Sequence, residues 1–325
     1  GETSPNLVSV HRELLNGLDD SSDIFMIDSP FGFQENANQL VEKIIDFYKV
    51  SLNVDMKLAT YRKIEELHSK SFFKSIQLLE NASFIFAGPG SPSYASKLWY
   101  GNEFQQTLKN HLINGNNSLF ASAAASTLGE YTLPVYEIYK VGQDPYWEKG
   151  LNILDVYGLS CTVVPHFNNA EGGNHDTSFS YVGENRMKTL LDNSYSNILG
   201  IDEHTALIIS GKKETFKVVG LGNVTVLNNE GTHVFEKDSE ESLSKLQKLL
   251  ISDKKSSVEI IDSKATEVNS ADKATLKEIA NLEIQIESNE KNNERFEMLV
   301  ENLILLRSKL RNEKNYELSD QVRDI

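Results

Sequence analysis

Leu119 to Gly129 reads L-F-A-S-A-A-A-S-T-L-G, an apolar strand-like start followed by very small side chains that could open a helix. A serine on a tight strand-to-helix turn is a nucleophile elbow. Such a turn exposes the hydroxyl, demands small neighbours two residues away on either side, and leaves backbone N–H groups free beyond it. Ser122 sits at the tip, with Phe120 and Ala124 at the flanking positions. An Ala/Ser-rich strand end also serves close helix–sheet packing, so the chemistry needs partners elsewhere. A second polar stretch, His166 to Asp176, directly follows a strand-like run and holds His166, Glu171, His175 and Asp176. Histidine is the side chain best suited to act as a base near neutral pH. A third group, Asp202-Glu203-His204, interrupts an apolar pattern, where charges need partners. It is either a turn between strands or a carboxylate orienting a histidine.

The same side chains allow another chemistry. His166, Glu171, His175, Asp176 and His204 are all metal-ligand types, but their spacing matches no short metal signature, and neither a metal nor a cofactor is expected. The single cysteine, Cys161, excludes an intrachain disulfide and suits a reducing compartment.

Placing these residues requires an α/β framework. The apolar runs Ile24 to Asp28, Ser83 to Ala87 and Cys161 to Pro165 read as strands covered on both faces, and Val54 to Leu58 as a further one. Helical periodicity occupies Asn36 to Tyr48, the stretch up to Leu79, Glu103 to Ile113 and Arg186 to Leu191, whereas Phe216 to Phe235 alternates like a hairpin. Glu130 to Lys149 is rich in aromatic residues and could line a pocket. Parallel strands gather their carboxyl-end loops on one edge. The loop Gly88-Pro89-Gly90 can therefore lie beside Ser122, where N–H groups of Gly88 or Gly90, with that of Ala123, would form an oxyanion hole.

The 325 residues suffice for one large α/β domain over residues 1 to 235, a linker over 236 to 272 and a helical appendage over 273 to 325. Both ends look trimmed. A net charge of −15 argues against a general binder of phosphate backbones. No apolar run approaches membrane-spanning length, and no signal-peptide pattern opens the chain, so a cytoplasmic setting is expected.

The G-P-G loop, the S-A-A-A elbow, the H-D after Gly172-Gly173 and above all G-I-D-E-H-T-A at residues 200 to 206 together resemble the peptidase E and cyanophycinase family of serine hydrolases. The resemblance covers roughly residues 1 to 235. It implies a flavodoxin-like, class I glutamine-amidotransferase-like fold: a mostly parallel sheet with helices on both faces. It also implies a triad of Ser122, His175 ahead of Arg186-Met187, and Glu203, acting on peptides that contain acidic residues, or on other small amides. Secondary candidates are His166, Glu171, Asp176, Asp202 and His204. Residues 305 to 325 resemble the final helices of cysteinyl-tRNA synthetases, with Arg307, Arg311 and Lys314 on one face. That suggests an alternative, a non-catalytic RNA-associated or scaffolding protein meeting tRNA through its tail. A homodimer is compatible with either reading.

Overall fold

The computed structural model describes residues 6–18, 21–192, 196–251, 270–289, 293–313 and 315–323. Four short strands, β1 (Ile24–Ile27), β2 (Lys57–Ala59), β3 (Phe84–Ala87) and β4 (Asn117–Phe120), form a parallel sheet in the order β2-β1-β3-β4. Their alternation decides the layers. Phe25, Ile27, Ile85 and Ala87 point into one core, and Ile24, Met26, Phe84 and Phe86 into another. Both faces must therefore be covered. Helices α1 (Val8–Leu15) and α2 (Ala37–Phe47) supply Leu15, Val41 and Ile44 to the second core. On the opposite face, α3 (Lys70–Glu80), α4 (Pro92–Trp99) and α5 (Glu103–Ile113) bury Phe72, Phe73, Ile76, Trp99, Phe104 and Leu108.

Helix starts are set by side-chain caps. Ser69 Oγ accepts from Phe72 N–H, Ser91 Oγ from Tyr94 N–H with Pro92 at the first helical position, and Asn102 Oδ1 from Phe104 N–H. α4 lies outside the helical stretches expected from periodicity, although Ser91-Pro92 carries this start signal. β2 lies at 57–59 and not 54–58, because a wide helical turn over 48–52 delays the chain until Asn53, whose φ of 57° ends it.

After α6 (Ala123–Ser126), the two-residue strands β5 (Tyr131–Thr132) and β6 (Glu148–Lys149) pair antiparallel. Two further sheets follow. β7 (Thr162–Pro165) lies parallel to β8 (Ile198–Ile201), with α7 (Glu184–Asp192) between them in sequence. Beyond β9 (Thr205–Ser210) and β10 (Thr215–Gly220), β11 (Val224–Asn228) and β12 (Gly231–Phe235) extend that sheet antiparallel, in the order β12-β11-β8-β7. β13 (Glu240–Ser242) joins β10 and β9 in a three-stranded antiparallel sheet. The expected architecture, a mostly parallel sheet with helices on both faces and a helical C-terminus, is the one observed.

Residues 240–250 fall within the expected linker, yet they form β13 and α8 (Leu243–Leu250), with Leu243, Leu246 and Leu250 buried in the main core. Residues 252–269 of that linker lie outside the described residues. The appendage is α9 (Ser270–Asn289), α10 (Asn293–Asn312) and α11 (Tyr316–Arg323). Its apolar stripe joins the main core through Leu276, Ile279, Leu303, Leu306, Leu310, Leu318 and Val322. α9 docks on α3: Gln77 Nε2 donates to the Lys277 carbonyl at 2.9 Å, and Lys70 Nζ lies 3.5 Å from Glu283. Lys273 pairs with Glu103 of α5. Burial works to raise the Glu103 carboxyl, but Lys273, the helix backbone and His68 together hold it below the usual range. Of the basic face proposed from sequence, Arg307 is half-buried, Arg311 is exposed and Lys314 lies outside the described residues. Among the described residues no helix is long and apolar enough to cross a membrane.

Ile279 is fully buried in this docking. Ile279→Ala is expected to cost about 2–5 kcal/mol of folding stability, read from denaturant unfolding. A cost under about 0.5 kcal/mol would show that the appendage does not share the core.

Candidate active site

The elbow begins one residue past β4, where Ala121 N–H donates to the Ala87 carbonyl at 2.9 Å and so continues the pairing with β3. The next residue turns sharply. Ser122 has φ 52° and ψ −117°, a combination that sterics forbid to ordinary L-residues, at a cost of roughly 1–3 kcal/mol. Ala124 N–H donates to the carbonyls of Ala121 and Gly88, which straps the turn to the loop after β3. Ala123 and Ala124 are buried, so small side chains are needed there, while Phe120 is half-buried against the main core. α6 has only four residues, too short for its dipole to be the driving feature. Gly129 then passes so close to β7 that a Cβ would sit 2.2 Å from the Cys161 carbonyl oxygen.

The Gly88-Pro89-Gly90 loop lies where sequence placed it, against the elbow. Gly90 has φ +151°, and a Cβ there would meet the Pro30 carbonyl oxygen at 1.9 Å, a backbone clash that no rotamer relieves. Ser91 N–H donates to that same Pro30 oxygen at 2.8 Å.

His166 is the first residue beyond β7 and Glu203 the second beyond β8. His166 has φ 52°. Its loop is clamped: Phe167 N–H donates to the Ile201 carbonyl, Ser180 N–H to the His166 carbonyl, and Phe179 N–H to the Phe167 carbonyl. Phe179, Ser180 and Tyr181 make this clamp with φ values of 54°, 59° and 69°, three consecutive left-handed residues. Gly200 of β8 admits the Phe167 ring, which would stand 2.4 Å from a Cβ.

These segments converge. His166 Nε2 is 2.8 Å from Ser122 Oγ, and His166 Nδ1 is 3.1 Å from Glu203 Oε1. An ionised carboxylate only accepts, so Nδ1 carries the proton and Nε2 accepts from the serine hydroxyl. Both His166 and Glu203 are about three-quarters buried, with side-chain exposures of 27% and 23%. Burial works to raise the Glu203 carboxyl. The Asn169 amide, with Nδ2 donating to Oε1 at 2.6 Å, and the neighbouring His166 and His204 outweigh it and hold the group below its ordinary value. Asn168 Oδ1 accepts from Glu203 N–H at 2.8 Å. A hydroxyl, an imidazole and a carboxylate in this order can shuttle a proton off the serine and act in nucleophilic catalysis.

The histidine brought to Ser122 is thus His166 and not His175. His175 is exposed, and its ring stacks on Tyr139 at 6.0 Å between centroids. Glu171 accepts from Tyr181 OH at 3.0 Å. The Ser178 side chain and the N–H groups of Glu184 and Ser178 donate to Asp176 and hold its carboxyl below the usual range. Asp202 accepts from Asn223 N–H, while burial pushes its carboxyl up. His204, with φ 53°, closes the turn through its carbonyl, which takes Leu221 N–H. Among the described residues no three His, Cys, Asp or Glu side chains are grouped to hold a metal ion. Cys161 is fully buried, and burial pushes its thiol up. Sequence reasoning missed Asn168, Asn169 and Tyr181; their signal was only that they share the histidine's loop.

No model of a known family matches the chain, and no curated protein matches it in sequence. Solved structures do resemble its fold. A peptidase from an acI-B1 Actinobacterium is 22% identical with a TM-score of 0.60, covering 74% of this chain and 93% of that one. A looser likeness joins it to a "Putative Peptidase E Protein" from Listeria monocytogenes EGD-e, 15% identical with a TM-score of 0.44, over 66% of this chain and 93% of the other. At 22% identity, what the chain shares with the Actinobacterium peptidase is the fold.

Because the Glu203 carboxyl ionises below its ordinary range in the folded chain, its stabilising contribution is complete above that range and fades as pH falls through the folded value. Glu203→Gln is therefore expected to cost stability at neutral pH and progressively less below about pH 4. The difference in urea midpoint between the two chains, followed against pH, checks this; a difference independent of pH would contradict it.

Proposed function

We propose that the protein is a serine hydrolase of the peptidase type, transferring an acyl group from a peptide or other small amide to water. The observation that carries this reading is the row from Ser122 Oγ through His166 to Glu203, with its serine held on a strained turn. The shared fold with a peptidase supports it at the level of architecture.

His166 Nε2 takes the hydroxyl proton as Ser122 Oγ attacks the carbonyl carbon, and Glu203 stabilises the imidazolium that forms. The resulting oxyanion is received by backbone N–H groups of Ala123 and of the Gly88–Gly90 loop. His166 then passes its proton to the departing amine, leaving the acyl group on Ser122. Water repeats the sequence, giving its proton to His166 and its oxygen to the acyl carbon, and the serine is restored.

The native chain is expected to be labelled by a fluorophosphonate at Ser122, with labelling abolished in Ser122→Ala and slowed by about 10³-fold or more in His166→Ala. His175→Ala should stay within a few-fold of native. Equal labelling of the native chain and Ser122→Ala would remove the proposal.

A further inference from the structure

Glu203 Oε1 receives two donors, His166 Nδ1 at 3.1 Å and Asn169 Nδ2 at 2.6 Å. The second is not an accident of amide assignment. Asn169 is 3% exposed, and its Oδ1 accepts from Glu171 N–H at 3.2 Å, a group that can only donate, so the amide nitrogen must face Glu203. Asn169 N–H in turn donates to the His166 carbonyl at 3.2 Å, which ties the amide to the histidine's own turn. Tyr181 lies beyond it, donating its hydroxyl to Glu171 Oε2 at 3.0 Å. It does so from a left-handed backbone, φ 69°, that a tyrosine adopts only when its surroundings compel it.

We propose that Asn169 is a positioning residue of this site: its side-chain amide, held by Glu171 N–H, fixes the Glu203 carboxylate in the plane that His166 requires. This rests on the reading of Ser122, His166 and Glu203 as the catalytic row. The groups facing Glu203 are His166 and His204, with Tyr181 and Glu171 beyond Asn169; the amide and the two histidines together hold the carboxyl below its ordinary value. Without that donor, Glu203 takes up a proton at higher pH and the imidazole loses a fixed acceptor.

Asn169→Asp separates this role from mere packing. It keeps an oxygen for Glu171 N–H but replaces the donor facing Glu203 with a second carboxylate, and two carboxylates in contact cannot both ionise freely. Fluorophosphonate labelling of Ser122 is expected to fall by about 10- to 100-fold at pH 7, the rate equivalent of one hydrogen bond to a charged group. Its acid-side decline should also move to higher pH. Asn169→Leu, which removes the donor without adding charge, should shift the decline in the same direction. A labelling profile of unchanged pH dependence in folded Asn169→Asp would overturn the proposal, whatever its rate. If the native chain does not label at all, the hydrolase reading fails separately. The Glu203 carboxyl, titrated by ¹³C NMR, then decides the point: an upward move in Asn169→Asp supports the hold by Asn169, and no move refutes it.

Discussion

The backbone at Ser122 is the constraint from which the rest follows. A residue at φ 52° and ψ −117° is held there only if its neighbours over-determine the turn. They do so from both sides: β4 is locked to β3 up to Ala121, and Ala124 N–H reaches back to the Gly88 carbonyl. Large side chains after the turn would break this fit, which accounts for the buried alanines of α6 and for Gly129 pressed against the Cys161 carbonyl. The small-residue cluster is thus a packing requirement and, through it, the means of presenting a hydroxyl.

The partners arrive by the same device. Ser122, His166 and Glu203 follow the last residues of β4, β7 and β8 by two, one and two positions. Loops at the carboxyl ends of parallel strands meet at one edge, so three distant segments need little length to converge. Each turn also carries left-handed non-glycine residues: Ser122 itself, His166 itself, and His204 beside Glu203. Such conformations cost stability locally, and the two cores on either face of the first sheet, with the docked appendage, supply what offsets them.

Much of this was legible in the sequence. The apolar runs at β1, β3 and β7, the elbow after β4 and the turn holding Glu203 all stand out because buried strands cannot hide their composition. The histidine was harder. The family resemblance puts it at His175, ahead of Arg186-Met187, but position relative to the strand end is the physical criterion, and His166 is one residue past Pro165 whereas His175 is ten. The asparagines and Tyr181 could not be read, because an amide's value depends on what folds against it. The body also runs further than composition suggested: the charged stretch after Glu236 holds an amphipathic piece, Leu243 to Leu250, whose buried leucines belong to the main core.

The existence of the hydrogen-bonded row can be tested without any substrate. An imidazole N–H held between ring and carboxylate gives a strongly deshielded proton resonance. The account predicts that ¹H NMR of the native chain shows this signal, that it survives in His175→Ala, and that it disappears in His166→Ala and Glu203→Gln. A signal that persists in His166→Ala and is lost in His175→Ala would contradict the assignment at its centre.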